Sequence, residues 1–65
     1  MYYIFYKTND VFAAEEILQN IGVSVEVVPT PVQDKAYCGV CVRIKDADSM
    51  MANNALANME YQCIN

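Results

Sequence analysis

Two hydrophobic periods interleave along this chain, and their order leaves few folds open. Tyr2–Lys7 carries apolar side chains on both parities, Tyr2, Ile4 and Tyr6 against Tyr3 and Phe5. A strand that is apolar on both faces is a central one. Ala14, Ile17, Leu18 and Ile21 then recur at i, i+3, i+4, i+7, one stripe of a helix. Thr8, Asn9 and Asp10 offer oxygen atoms to cap its first turn, and Gly22 stands where a left-handed residue ends it. Val23, Val25 and Val27 alternate with Ser24 and Glu26 up to Pro29. Val40, Val42 and Ile44 alternate with Cys41, Arg43 and Lys45 in a third strand. Asp46 or Asp48 starts a second helix with the stripe Ala52, Ala55, Leu56 and Met59, and Tyr61–Ile64 reads as a short last strand.

The order βαββα(β) predicts an α+β, ferredoxin-like sandwich. A right-handed crossover between strands 1 and 2 leaves a gap that strand 3 fills antiparallel. The sheet order is then 4-1-3-2 with both helices on one face. The other face stays open, with strand 1 aromatics such as Tyr3 or Phe5 beside Cys41 and Arg43, and an open apolar face on a small domain predicts a homodimer. Arg43 is expected to pair with Glu26 across the strand 2–3 hairpin. Met50, Met51 and Met59 are expected as core fillers.

With 65 residues, 55% of them apolar and only two glycines, the chain reads as one ordered domain spanning 1–65. A domain of this size is marginal alone and often gains stability by pairing. A net charge of −4 with four basic residues argues against nucleic acid and anionic membranes as partners. No apolar run approaches the ~20 residues of a membrane span. MYYIFYKTND lacks the basic region and cleavage site of a signal peptide. Three cysteines are too few for a secreted disulfide framework, which places the chain in a reducing cytoplasm.

The chain has no histidine, so the usual general base and the commonest metal ligand are both missing, and chemistry here falls to a cysteine. Pro29 and Pro31 stiffen a loop that delivers Cys38-Gly39 to the mouth of strand 3. The topology sets that loop at the sheet end where helix 1 begins, beside Lys7, Thr8 and Asn9. A helix N-terminus favours a thiolate or a bound anion. A free thiol is only about 3% ionised at pH 7, so the helix terminus, Lys7 and Lys35 are the groups to activate Cys38, which is expected to be the most reactive of the three thiols. The plainer reading of Cys38 is a packed small residue. Cys38 and Cys41 form a C-x-x-C, with Cys41 as a possible second thiol, but i, i+3 residues of a strand lie roughly 10 Å apart, too far for a disulfide unless the chain bends at Gly39. Cys41 otherwise reads as a small strand residue on the open face, and Cys63 as a buried filler. Three thiols without histidine do not close a zinc site, so neither a metal nor a cofactor is expected.

The order of elements together with Leu18, Gly22, Pro29-Thr30-Pro31 and Cys38-Gly39 resembles the selenium/sulfur-carrier-like family of very small bacterial and archaeal proteins. The resemblance covers nearly the whole chain. It implies a carrier of persulfide- or selenium-bound intermediates, working beside sulfurtransferase-like partners, with Cys38, Gly39 and the Pro29/Pro31 loop as its transferable residues. Family members commonly follow the second proline with arginine and place serines before the cysteine; this chain has Val32 and Lys35-Ala36 there. Two readings follow. In one, the Cys38 thiolate accepts sulfane sulfur or selenium. In the other, the chain is a non-catalytic regulatory or scaffolding module that docks through its open sheet face.

Overall fold

The computed structural model describes residues 1–31 and 36–64. In it, strand β1 (Tyr2–Ile4), helix α1 (Thr8–Asn20), strands β2 (Val25–Pro29) and β3 (Val40–Ile44), helix α2 (Ser49–Ala55) and strand β4 (Gln62–Ile64) follow one another. The strands form one antiparallel sheet in the order β2-β3-β1-β4; counted from the β4 edge, this is 4-1-3-2. β1 lies beside β3, as the sequence patterns require.

The register decides which parity of β1 meets the helices. Tyr3 pairs with Val42, so Tyr3 and Phe5 share the sheet face of Val42 and Ile44. These four pack with Val11, Ala14 and Leu18 of α1 and with Ala52 and Leu56 beside α2 in a single core. Tyr3 and Phe5 are both 0% exposed, which corrects the expectation that they are outward aromatics of the open face. The second face carries Tyr2, Ile4, Cys41, Arg43, Glu26 and Val28 instead. There Glu26 stands opposite Arg43, and their charged groups approach to 3.6 Å as expected. With both side chains more than half exposed, the pair contributes little to stability.

Local chemistry explains the element ends. The first turn of α1 hangs on the Lys7 carbonyl, which accepts the N–H of Asp10 and Val11. Lys7 is therefore the N-cap, without a side-chain cap, and Thr8 is the first helical residue rather than the cap. Past α1, Gly22 adopts φ 84°, a left-handed conformation that glycine enters without steric cost. Its N–H bonds the Gln19 carbonyl and the Val23 N–H bonds the Leu18 carbonyl, the two bonds of a Schellman ending. Because Val23 spends its N–H on the helix, β2 starts at Val25 rather than at Val23. Asp46–Asp48 form a 3₁₀ turn ahead of α2, again without a side-chain cap. Met59 packs on the core, but Met50 and Met51 are exposed, since the buried positions here are Ala52 of α2 and Leu56 just past its end.

Tyr3 is the polar exception in the core. Its hydroxyl donates to Asn53 Oδ1 at 2.7 Å, and its ring meets Tyr61 edge-on, centroids 5.0 Å apart. Burial pushes its phenol up from 10.0 to about 12, with Cys63 and Tyr61 nearby adding to the rise.

Candidate functional site

Cys38 is placed by a break in the sheet ladder. Continuing the Tyr3–Val42 register would set Phe5 opposite Val40. Instead the Phe5 carbonyl accepts the Cys38 N–H at 3.1 Å, two residues early. On the β2 side the register runs on undisturbed, the Thr30 N–H bonding the Gly39 carbonyl at 3.0 Å. The extra length is therefore absorbed on the β1 side alone, as in a β-bulge, a device that re-aims side chains near functional sites. The Thr30 hydroxyl donates to the Cys38 carbonyl at 2.9 Å and holds the bulge from the other side.

The Cys38 sulfur is half-buried against the helix-side core. Its S–H has two acceptors in reach, the carbonyl oxygens of Phe5 at 3.2 Å and Val40 at 3.0 Å. A thiol donates to one of these at a time, and an ionised sulfur would give up the bond. Phe5 lies two residues before the α1 N-cap, so the loop and the helix start do meet at one end of the sheet. Lys7 and Thr8 are both exposed, and among the described residues the sulfur's hydrogen-bond partners are the two carbonyls rather than these side chains. Lys35, like Val32, lies outside the described residues. Pro29 is the last residue of edge strand β2, paired with Val40, and Pro31 is exposed just beyond it. Gly39 does not have a positive φ, and a Cβ built on it would meet nothing within 4 Å. The backbone conformation thus makes no demand for glycine at this position.

The other two thiols separate cleanly. Cys41 belongs to β3 and is 0% exposed, on the opposite side of the sheet from the core that Cys38 touches. Burial pushes its thiol up; the Thr30 hydroxyl partly offsets this and Cys38 adds to it. Cys63 is exposed, contrary to the buried filler expected, because it sits on the short edge strand β4. No alternation could reveal this, since three residues of strand are too few to mark an inner face. Accessibility alone ranks Cys63 ahead of Cys38, so any greater reactivity at Cys38 has to be chemical rather than steric. All three are free thiols.

Burial of Cys41 and Tyr3 makes stability fall in alkali. Both are acids that keep their proton longer in the folded state, so their contribution is whole below about pH 8.5, where an unfolded cysteine is still protonated. It declines as pH rises above the ordinary cysteine and tyrosine values and is lost through the raised folded ones. For Tyr3, the rise from 10.0 to about 12 is worth roughly 2–3 kcal/mol. Melting temperatures from about pH 8 to about pH 12 should fall steadily, and Tyr3→Phe, with no phenol to ionise, should flatten the upper part of that decline. Parallel curves for the two proteins would count against a buried phenol.

Neither of two surface depressions is lined by Cys38. A groove of about 700 Å³ lies at the far end of β3, along Val23–Glu26 and Arg43–Asp46. A smaller one of about 330 Å³ is lined by Tyr6, Lys7, Asp10, Asn58, Met59 and Glu60. Among the described residues, no three or more Cys, Asp or Glu side chains gather to hold a metal, and no helix is long and apolar enough to cross a membrane. The arrangement is a half-buried thiol at the rim of a sheet.

No curated protein matches the chain, and no solved structure does. The model of the family described as "Putative Se/S carrier protein-like" matches residues 1–64, and the chain belongs to that family.

Proposed function

We propose that this protein is a cytoplasmic carrier that holds sulfur or selenium on Cys38, in a ferredoxin-like frame. The observation that carries the reading is the bulge: the ladder is broken at Cys38, the thiol stands at a rim, and Gly39 beside it has a clear approach. In the step proposed, the Cys38 thiolate attacks the outer sulfur of a donor persulfide. The donor's S–S bond breaks, its inner sulfur leaves as a thiolate, and Cys38 becomes the persulfide with no net oxidation. Neither cofactor nor metal enters this step. The donor proposed is a sulfurtransferase-like protein rather than a small molecule, since Cys38 lines neither of the two surface depressions. The test is intact mass of the untagged protein after exposure to a persulfide donor, with the added sulfur mapped to Cys38.

The homodimer is placed on the second sheet face, where Tyr2, Val28 and Ile64 are half-buried beside exposed Arg43 and Glu26. Apolar residues flanked by opposite charges complement a second copy about a two-fold axis. Sedimentation at tens of micromolar, on the order of common dissociation constants, should show dimer for the parent and monomer for Tyr2→Asp. A monomeric parent removes this part of the reading and favours the docking-module alternative with a different partner.

A further inference from the structure

Tyr37 immediately precedes the sulfur-bearing residue and reaches away from it. Its ring stacks on Tyr6, with centroids 5.0 Å apart and planes inclined by 22°, and its hydroxyl bonds Gln62 Oε1. These anchors lie across β1 from its own backbone. Cys38 hangs from the Phe5 carbonyl on the β3 side, whereas Gln62 pairs with Ile4 on the β4 side. The Tyr37 side chain therefore crosses the end of β1 and ties the bulge to the far edge strand. It runs over the sheet face away from the helices, where Ile4 and Cys41 are nonetheless 1% and 0% exposed. The expected open face is closed at this end.

We propose that Tyr37 is a positioning residue, a strap that keeps Cys38 tucked in. While the ring lies on Tyr6 and the hydroxyl on Gln62, the thiol stays within reach of the Phe5 and Val40 carbonyls. Release of the ring lets the Cys38 side chain leave those carbonyls and presents the sulfur to a protein partner, while the Cys38 main chain stays on Phe5 and Thr30. Both anchors, Tyr6 and Gln62, stand at the surface, where a docking protein can compete for them, so arrival of the partner opens the site. This inference rests on Cys38 being the residue that carries the sulfur, but its test does not.

The test is native-state alkylation with iodoacetamide, reading Cys38 against exposed Cys63 in the same digest. Tyr37→Ala is expected to raise the Cys38-to-Cys63 ratio by at least roughly tenfold, the order of opening factor that losing the stack on Tyr6 and the bond to Gln62 supplies. Tyr37→Phe keeps the stack and loses the bond, and should give a smaller rise; Tyr6→Ala, which removes the stack, should give a larger one than Tyr37→Phe. These two surface changes decide the matter if Tyr37→Ala does not fold. An unchanged ratio in folded Tyr37→Phe and Tyr6→Ala overturns the strap. Iodoacetamide asks only whether the thiol is presented, so a positive result stands even if Cys38 refuses sulfur from a donor.

Discussion

Replacing Tyr3 with alanine is expected to remove a large share of the protein's folding stability. Tyr3 is fully buried, and truncating a large buried aromatic typically costs about 3–5 kcal/mol. Loss of its hydrogen bond to Asn53 adds roughly 1 kcal/mol. A chain of 65 residues has in total only about 3–10 kcal/mol of stability at the usual values per residue. The change therefore removes from about two fifths of it to all of it. Tyr3→Phe, which keeps the ring and the edge-on contact with Tyr61, should cost about 1 kcal/mol and stay folded. Urea unfolding followed by circular dichroism measures both, and a Tyr3→Ala midpoint close to the parent's would mean that the ring is not in the core. The same burial means that a charge placed at Tyr3 or Phe5 reports on folding and says nothing about assembly.

Cys38→Ser is expected to abolish sulfur acceptance while leaving the fold intact. An alcohol in place of the thiol forms no persulfide, so the added mass should vanish rather than shrink. The bulge itself is held by main-chain groups, the Cys38 N–H on Phe5 and the Cys38 carbonyl on the Thr30 hydroxyl, and these survive the substitution. A stability change within about 1 kcal/mol is the expectation. Cys63→Ser should accept sulfur as the parent does. Gly39→Ala should fold normally, because its Cβ meets nothing within 4 Å, yet should slow transfer if the partner needs that clearance. Retained acceptance in Cys38→Ser, or its collapse into an unfolded chain, would make Cys38 a structural residue and bring the docking-module reading forward.

Much of the frame is legible in the sequence because its determinants are local. Alternating valines before Pro29 and after Gly39 can satisfy only a strand, and the stripe around Ala14 and Leu18 only a helix. Gly22 announces the end of α1 because a left-handed residue is needed there. Cys38-Gly39 stands out for its position, after the prolines and at the start of β3. Tyr37 gave no signal of its own: a tyrosine in a loop is unremarkable until Tyr6 and Gln62 are brought beneath it.

What the sequence determined alone is the identity and order of the elements, because strand and helix periods are read over a few neighbouring residues. Its two apolar parities in β1 could not say which would face the helices. Tyr2, Ile4 and Tyr6 are as apolar as Tyr3 and Phe5, and only the pairing of Tyr3 with Val42 and Cys63 broke the tie. Tertiary structure likewise exposed Cys63, because β4 ends up at an edge. It also set the bulge at Cys38, because the Phe5 carbonyl captures an N–H two residues out of register. Those outcomes depend on groups more than thirty residues apart meeting in space, and no local pattern encodes the distance between them.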